Sequence, residues 1–344
     1  MQRPLMDPLF VKPFVTPKKR WLVTVCFLAV VRGIVRTLVS RPLALYQPGQ
    51  QARAFKFMPE VIRAAAMQAL FLPLALSLTA ALLVYIGTHP THPPIMLDPS
   101  SQGVYYEQVS MTSDDGTPLM GWITPAIDAT RVLAQRDRIL HTKYPAVVLV
   151  HDFGQTPQQM LPLVGPLHEE GVAVLVIGLR GIGTGKTTGE TFGLNEATDI
   201  VAACNYLRTQ AEIDSTHIGV LGVGTGATAA LLASQRDAGI RVLILADPVI
   251  DVDSVVTRHI GPRQGWLTWM RPLSKWGFQL AYHVTGDDLN YGRLDFLTRT
   301  HPSLTLPHGS DHVDYFDKQR IAQIQWFLHK ELRTGDATVA SGMN

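Results

Sequence analysis

Cysteine and charge are both scarce in this chain of 344 residues, and each scarcity excludes something. Cysteine occurs twice, Cys26 in an apolar segment and Cys204 in a stretch patterned like a core helix, so neither a disulfide framework nor a cysteine metal site is expected. Cysteine therefore says nothing about compartment. Charged residues make up 17% against 46% hydrophobic, and a mean hydropathy of +0.12 is high for a soluble domain. That balance points to a membrane segment. A net charge of +2 is too small to argue for a nucleic-acid partner. No metal and no cofactor are expected.

The longest stretch without charge runs from Ala64 to Gly87. At about 1.5 Å per residue it is long enough to cross a hydrocarbon core of about 30 Å, so it reads as one transmembrane helix that tolerates Pro73. An earlier apolar stretch, Trp21 to Val39, contains Arg32 and Arg36. Each central arginine costs about 2.5 to 3.5 kcal/mol on insertion scales, roughly cancelling what the apolar residues return. Two spans with an inside amino terminus would put Arg41, Arg53, Lys56 and Arg63 in an external loop, against the positive-inside rule. The 21–39 segment therefore reads as an interfacial helix led by Lys18, Lys19 and Arg20, with a helical hairpin as the alternative. With a single pass, every Lys and Arg before Ala64 lies on one side, and none follows Gly87 until Arg131. This predicts a carboxy-terminal domain on the non-cytoplasmic side.

Beyond a proline-containing linker the pattern changes to short strands and helices. Val104–Met111 and Leu119–Pro125, joined by Asp114-Asp115-Gly116, form a hairpin signal. Ala146–Val150, Val172–Ile177, Ile218–Leu221 and Arg241–Ala246 are continuous apolar runs, of the kind buried on both faces of a parallel sheet. Helix-like stretches lie between them, including about Asn195 to Thr209 and one from Thr225. This alternation predicts an α/β fold, a mostly parallel sheet flanked by helices, with functional residues just past the carboxyl ends of the strands.

Over residues 104–333 the chain resembles the α/β-hydrolase superfamily, most of all its esterase and dienelactone-hydrolase branch. The resemblance rests on the hairpin, on His151 with Phe153 and Gly154, and on Arg180-Gly181-Ile182-Gly183. It continues with Asn195-Glu196-Ala197-Thr198-Asp199, Ile218–Gly226 (IGVLGVGTG), and His312 in a late LTLPHGSDHVDYF stretch. The expected organisation is a basic tail (1–63) holding the 21–39 segment, the span (64–87), a linker (88–103), an α/β-hydrolase-like domain (104–334) and a flexible tail (335–344).

The family's elbow reads G-x-S-x-G, with a serine nucleophile on a sharp strand-to-helix turn. Here it is Gly222-Val223-Gly224-Thr225-Gly226, so glycine stands in the serine's place. A glycine forms no acyl-enzyme. Thr225 sits one residue late, where the family uses the backbone N–H for the oxyanion. Asp152 follows His151 where the resemblance implies glycine, and a carboxylate near the oxyanion site opposes catalysis. His151, Asp152, Phe153 and Thr225 thus mark the vestigial pocket. By its place His312 matches the triad histidine, while Asp287 or Asp288 and Asp247 or Asp251 are the candidate acids. Phe278–Val284 reads as a strand leading to Asp287, but Trp266–Leu280 also reads as an amphipathic helix with Trp266, Trp269 or Met270, Leu273 and Trp276 on one face. A helix there removes the seventh strand and its acid. That face, flanked by Arg258, Arg263, Arg271 and Lys275, reads as ordinary core packing, a lid, a partner surface or a membrane-facing patch.

Three functions follow. The first is a membrane-anchored, non-catalytic binding or scaffold protein that takes a protein partner or a small hydrophobic ligand in the old pocket. The second is an enzyme using His312 and a carboxylate without a serine nucleophile. The third is a dinucleotide-binding domain, because Gly222, Gly224 and Ala227 also satisfy G-x-G-x-x-A.

Overall fold

The structure is a computed structural model that describes Arg32 and residues 54–127, 142–182, 189–249, 251–260, 266–283, 301–306 and 316–333. The 21–39 segment and the 335–344 tail fall outside these residues, apart from Arg32. The chain divides into two compact units, Met1–Thr88 with Val256–Thr285, and His89–Val255 with Gly286–Asn344.

The larger unit is built on a seven-stranded sheet in the order β1-β2-β4-β3-β5-β6-β7. Strands β1 (Glu107–Thr112) and β2 (Pro118–Thr124) form the expected hairpin, and β2 pairs antiparallel with β4 (Ala173–Gly178). From β4 onward the sheet is parallel through β3 (Tyr144–Val150), β5 (Ile213–Val223), β6 (Ile240–Ala246) and β7 (Ser303–Leu306). Continuous apolar runs suit this sheet because both of its faces are covered. Val147 and Leu149 join a core with α2 (Leu161–Glu169) and α6 (Lys318–Arg333) through Leu163, Leu167, Ile324 and Leu328. On the other face α3 (Glu196–Thr209) and α4 (Thr225–Arg236) pack together.

Several sequence motifs meet at one buried cation. Arg180, just past β4, donates to Asp199 on α3 (Nη2 to Oδ1 2.6 Å, Nε to Oδ2 3.1 Å) and to Asp115 in the hairpin turn (2.8 Å). Its Nη2 also reaches the Asn195 carbonyl and the Thr198 hydroxyl, both at 3.0 Å. Asp199 is fully buried and Arg180 nearly so. Taking two charges out of water is favourable only with this degree of satisfaction, so the DDG turn, the Arg-Gly pair and the Asn195–Asp199 segment act as one clamp.

In the smaller unit, helix α1 (Ala54–Thr88) runs unbroken through Pro73, and its Met67–Thr88 part is long and apolar enough to cross a membrane. Here α5 (Arg271–Tyr282) settles one ambiguity: 278–282 is helical, and His283 ends the helix in the left-handed conformation, so the strand reading of Phe278–Val284 is incorrect. Ser303–Leu306, the late strand ahead of His312, pairs directly with β6 and is the seventh strand of the described sheet; it is not the strand expected from Phe278–Val284 ahead of Asp287. The packed face of α5 is also not the tryptophan face. Met270, Ser274 and Phe278, four residues apart, are buried, while Trp269 and Trp276 are exposed.

Candidate functional site

The site is organised by a one-residue turn. Strand β5 ends at Val223 and α4 begins at Thr225, leaving Gly224 alone at φ +56°, ψ −116°. Its N–H donates to the Ala246 carbonyl at 2.8 Å, tying the turn to the end of β6. A Cβ on Gly222 would lie 2.3 Å from the Gly226 oxygen, and one on Gly226 would lie 2.4 Å from the His151 oxygen. Both glycines are therefore demanded by the close approach of strand, helix and neighbouring loop, which is the strand-to-helix geometry of a nucleophile elbow. The chain has the α/β-hydrolase fold.

No protein-family profile matches the chain. Among solved structures it is similar to the esterase Pf2001 of Pyrococcus furiosus (18% identity, TM-score 0.49, 71% of this chain and 99% of that one). It is also similar to the α/β hydrolase GrgF of a Penicillium species (16% identity, TM-score 0.48, 67% of this chain and 100% of that one). In sequence it matches YfhR of Salmonella typhimurium, a protein described as uncharacterized, at 27% identity over 172 residues, 47% of this chain and 55% of that one. It matches the thiohydrolase aneE of Aspergillus aculeatus at 29% identity over 110 residues, 31% of this chain and 35% of that one. The chain thus spans about half the length of the Salmonella relative and about a third of the Aspergillus one.

What occupies the elbow is the carboxylate of Asp152. Its Oδ1 accepts from the backbone N–H of Phe153 (2.7 Å) and of Thr225 (2.8 Å). One of these amides follows the elbow residue and the other lies in the loop after β3, the two positions from which hydrolases of this fold build an oxyanion hole. A Cβ on residue 224 would lie 1.9 Å from Asp152 Oδ1, so the carboxylate fills the start of a nucleophile side chain as well. The Asp152 backbone is held in turn, its N–H donating to Gln159 Oε1 at 2.8 Å. Burial pushes the Asp152 carboxyl above the usual carboxylate range, the two amides oppose that, and the like charge of Asp247 adds to it. The position also caps α4, since Gly224 has no side chain to meet the first free N–H of that helix.

His151 is fully buried behind this loop. A backbone N–H can only donate, so the contact of Leu179 N–H with Nε2 (3.2 Å) makes that nitrogen an acceptor and puts the ring proton on Nδ1, which faces the Asp152 carbonyl at 2.8 Å. Burial lowers its pKa to about 4, keeping the ring neutral. Both nitrogens are committed to the backbone, so His151 positions the Asp152 loop instead of facing a pocket. The Thr225 hydroxyl points at Asp152 Oδ1 from 3.4 Å.

Asp247 ends β6 at a φ of +49°, and its N–H donates to the Leu306 carbonyl of β7 at 2.9 Å. It therefore stands beside the carboxyl end of β7. His312, Asp287 and Asp288 lie outside the described residues. Asp251 accepts from the Ser254 N–H (2.6 Å) and hydroxyl (2.8 Å), which places it in a local turn.

Three residues with no sequence signal complete the surroundings. Phe192, buried and at a φ of 56°, stacks on Phe153 with ring centres 4.7 Å apart. The nearly buried Glu190 contacts His92 Nε2 at 2.7 Å and accepts from the Gly154 N–H at 3.3 Å. The linker is thereby joined to the site loop across 98 residues of sequence. Burial, opposed chiefly by His92, raises Glu190 to about 7 from an ordinary 4.5. A raised folded-state value means that its contribution is full below 4.5 and lost as pH rises through about 7. Glu190→Gln keeps an acceptor and removes the titration. Its melting temperature is expected to gain on the wild type from pH 5 to pH 8, and an unchanged difference between the two pH values would exclude this coupling.

Proposed function

We propose that this chain is a membrane-anchored α/β-hydrolase-fold protein that has given up acyl transfer and works by binding. The observation that carries the reading is the Asp152 carboxylate on the Phe153 and Thr225 amides, with glycine beside it. Acyl transfer needs a nucleophile and two N–H donors aimed at the developing oxyanion. The first has no side chain here, and the second are already taken by a carboxyl oxygen of Asp152. The same side chain disfavours a dinucleotide on this turn, because the Thr225 N–H at the start of α4 is already spent on Asp152 and the carboxyl group fills the space a phosphate would need. A partner protein or a small hydrophobic ligand suits the retained fold better.

The anchor reading is supported by the Met67–Thr88 segment, of which only 11% is buried within the protein. Its basic amino-terminal flank, with Lys56 and Arg63, supports a domain on the non-cytoplasmic side.

The purified chain, exposed to a fluorophosphonate and to a panel of short esters and thioesters, is expected to gain no label and show no turnover. Stoichiometric labelling or clear turnover would sink the binding reading. In sealed inside-out vesicles the carboxy-terminal domain is expected to survive added protease until detergent is supplied. Its digestion in intact vesicles would reverse the orientation.

A further inference from the structure

We infer that α5 and the turn before it form a second membrane contact, a stripe of Trp269, Trp276 and Leu280 that lies in the headgroup layer where the span ends. The inference rests on the reading of Met67–Thr88 as a span. Within the smaller unit, α5 packs against the last turns of α1: Phe278 and Ser274 are buried, and a Cβ on Gly277 would sit 3.4 Å from Val84 Cγ2. A second contact lies at the same end, where a Cβ on Gly87 would fall 2.6 Å from the Ile260 backbone. These glycines let the two segments close on the carboxyl end of the span, which in a membrane is the interface.

The side of α5 away from that contact is what makes lipid the partner. Trp276 and Leu280, one helical turn apart, are 61% and 60% exposed, and Trp269 in the preceding turn is 49% exposed. Indoles exposed to this extent are costly in water, whereas amphipathic rings belong at the headgroup level, and Tyr85 near the end of the span is likewise 61% exposed. The stripe is continuous in kind with the span, whose Leu70 and Leu78 are 69% and 63% exposed and need an apolar solvent. A monotopic contact beside a span fixes the rotation of the unit about the span axis, which a single helix does not.

The test uses the full chain with Cys26→Ser and Cys204→Ala, reconstituted in vesicles of phosphatidylcholine and phosphatidylglycerol. A fluorophore is placed on one new cysteine at a time, as Leu280→Cys, Leu74→Cys or Ser215→Cys, and is quenched by lipids spin-labelled at shallow or deep acyl positions. Leu280→Cys is expected to lose most of its emission to the shallow quencher and Leu74→Cys to the deep one, with Ser215→Cys unaffected by either. Adding Trp276→Ser is expected to reduce quenching at position 280 while leaving position 74 unchanged. If position 74 is quenched and position 280 behaves like position 215, the stripe is not in lipid and the inference fails while the anchor stands. If position 280 instead cross-links to a second copy without quenching, the occupant is another chain and the inference also fails. If position 74 is unquenched as well, the anchor reading falls and takes the inference with it.

Discussion

Arg180→Met is expected to cost about 3 to 5 kcal/mol of stability, because it leaves the carboxylate of Asp199 buried without its cation. In a domain of this size that lowers the melting temperature by roughly 10 °C. The cause is the lost partner and not the lost volume, so Arg180→Met with Asp199→Leu is expected to recover most of the loss, a buried pair being replaceable by well-packed apolar groups. Thermal unfolding followed by circular dichroism reads both variants. A single variant within about 1 kcal/mol of the wild type would mean that Arg180 is not the clamp described.

The second large effect concerns the elbow. Gly224→Ser is expected to destabilise by about 3 kcal/mol or more, from a side chain at φ +56° and from its Cβ falling 1.9 Å from Asp152 Oδ1. It is expected to gain no fluorophosphonate label, because the serine meets a carboxylate where its oxyanion donors should be. Asp152→Gly removes the obstruction and frees both amides, at about 1 to 2 kcal/mol for leaving them unpaired. Combined, the two changes are expected to couple favourably by about 1 to 2 kcal/mol in a double-mutant cycle. Additive effects would mean that the two residues do not compete for one space. The double variant is the member of the set with room for a serine hydroxyl beside two open amides, and a label on the single variant instead would contradict the proposed obstruction.

How much of this was legible in the sequence depended on whether a local pattern carried it. The runs of β3 and β4 are apolar throughout because helices cover both faces, and Gly222, Gly224 and Gly226 are spaced as a turn that admits no side chains. Both features are short-range and were readable. Asp152 was readable as a departure in charge, but its reach across the elbow to the Thr225 amide spans 73 residues and no local pattern encodes it. The same holds for His92 with Glu190. Phe278–Val284 misled because a short apolar run fits either a strand or a helix face, and only packing on α1 decides. The tryptophans misled in another way. Of the alternatives for that face only core packing fails, because Ser274 and Phe278 make the packed side while Trp269 and Trp276 are exposed.

The binding reading stands or falls on one pair of hydrogen bonds, from the Phe153 and Thr225 amides to one carboxylate oxygen. Their amide protons can be followed directly by nuclear magnetic resonance in an isotope-labelled chain. A short hydrogen bond to the Asp152 carboxyl oxygen holds both downfield, so Asp152→Ala is expected to move both resonances upfield together, while amides elsewhere on α4 stay in place. If neither resonance moves, the Asp152 carboxylate is not in the oxyanion position, and the site is open to chemistry that this structure closes.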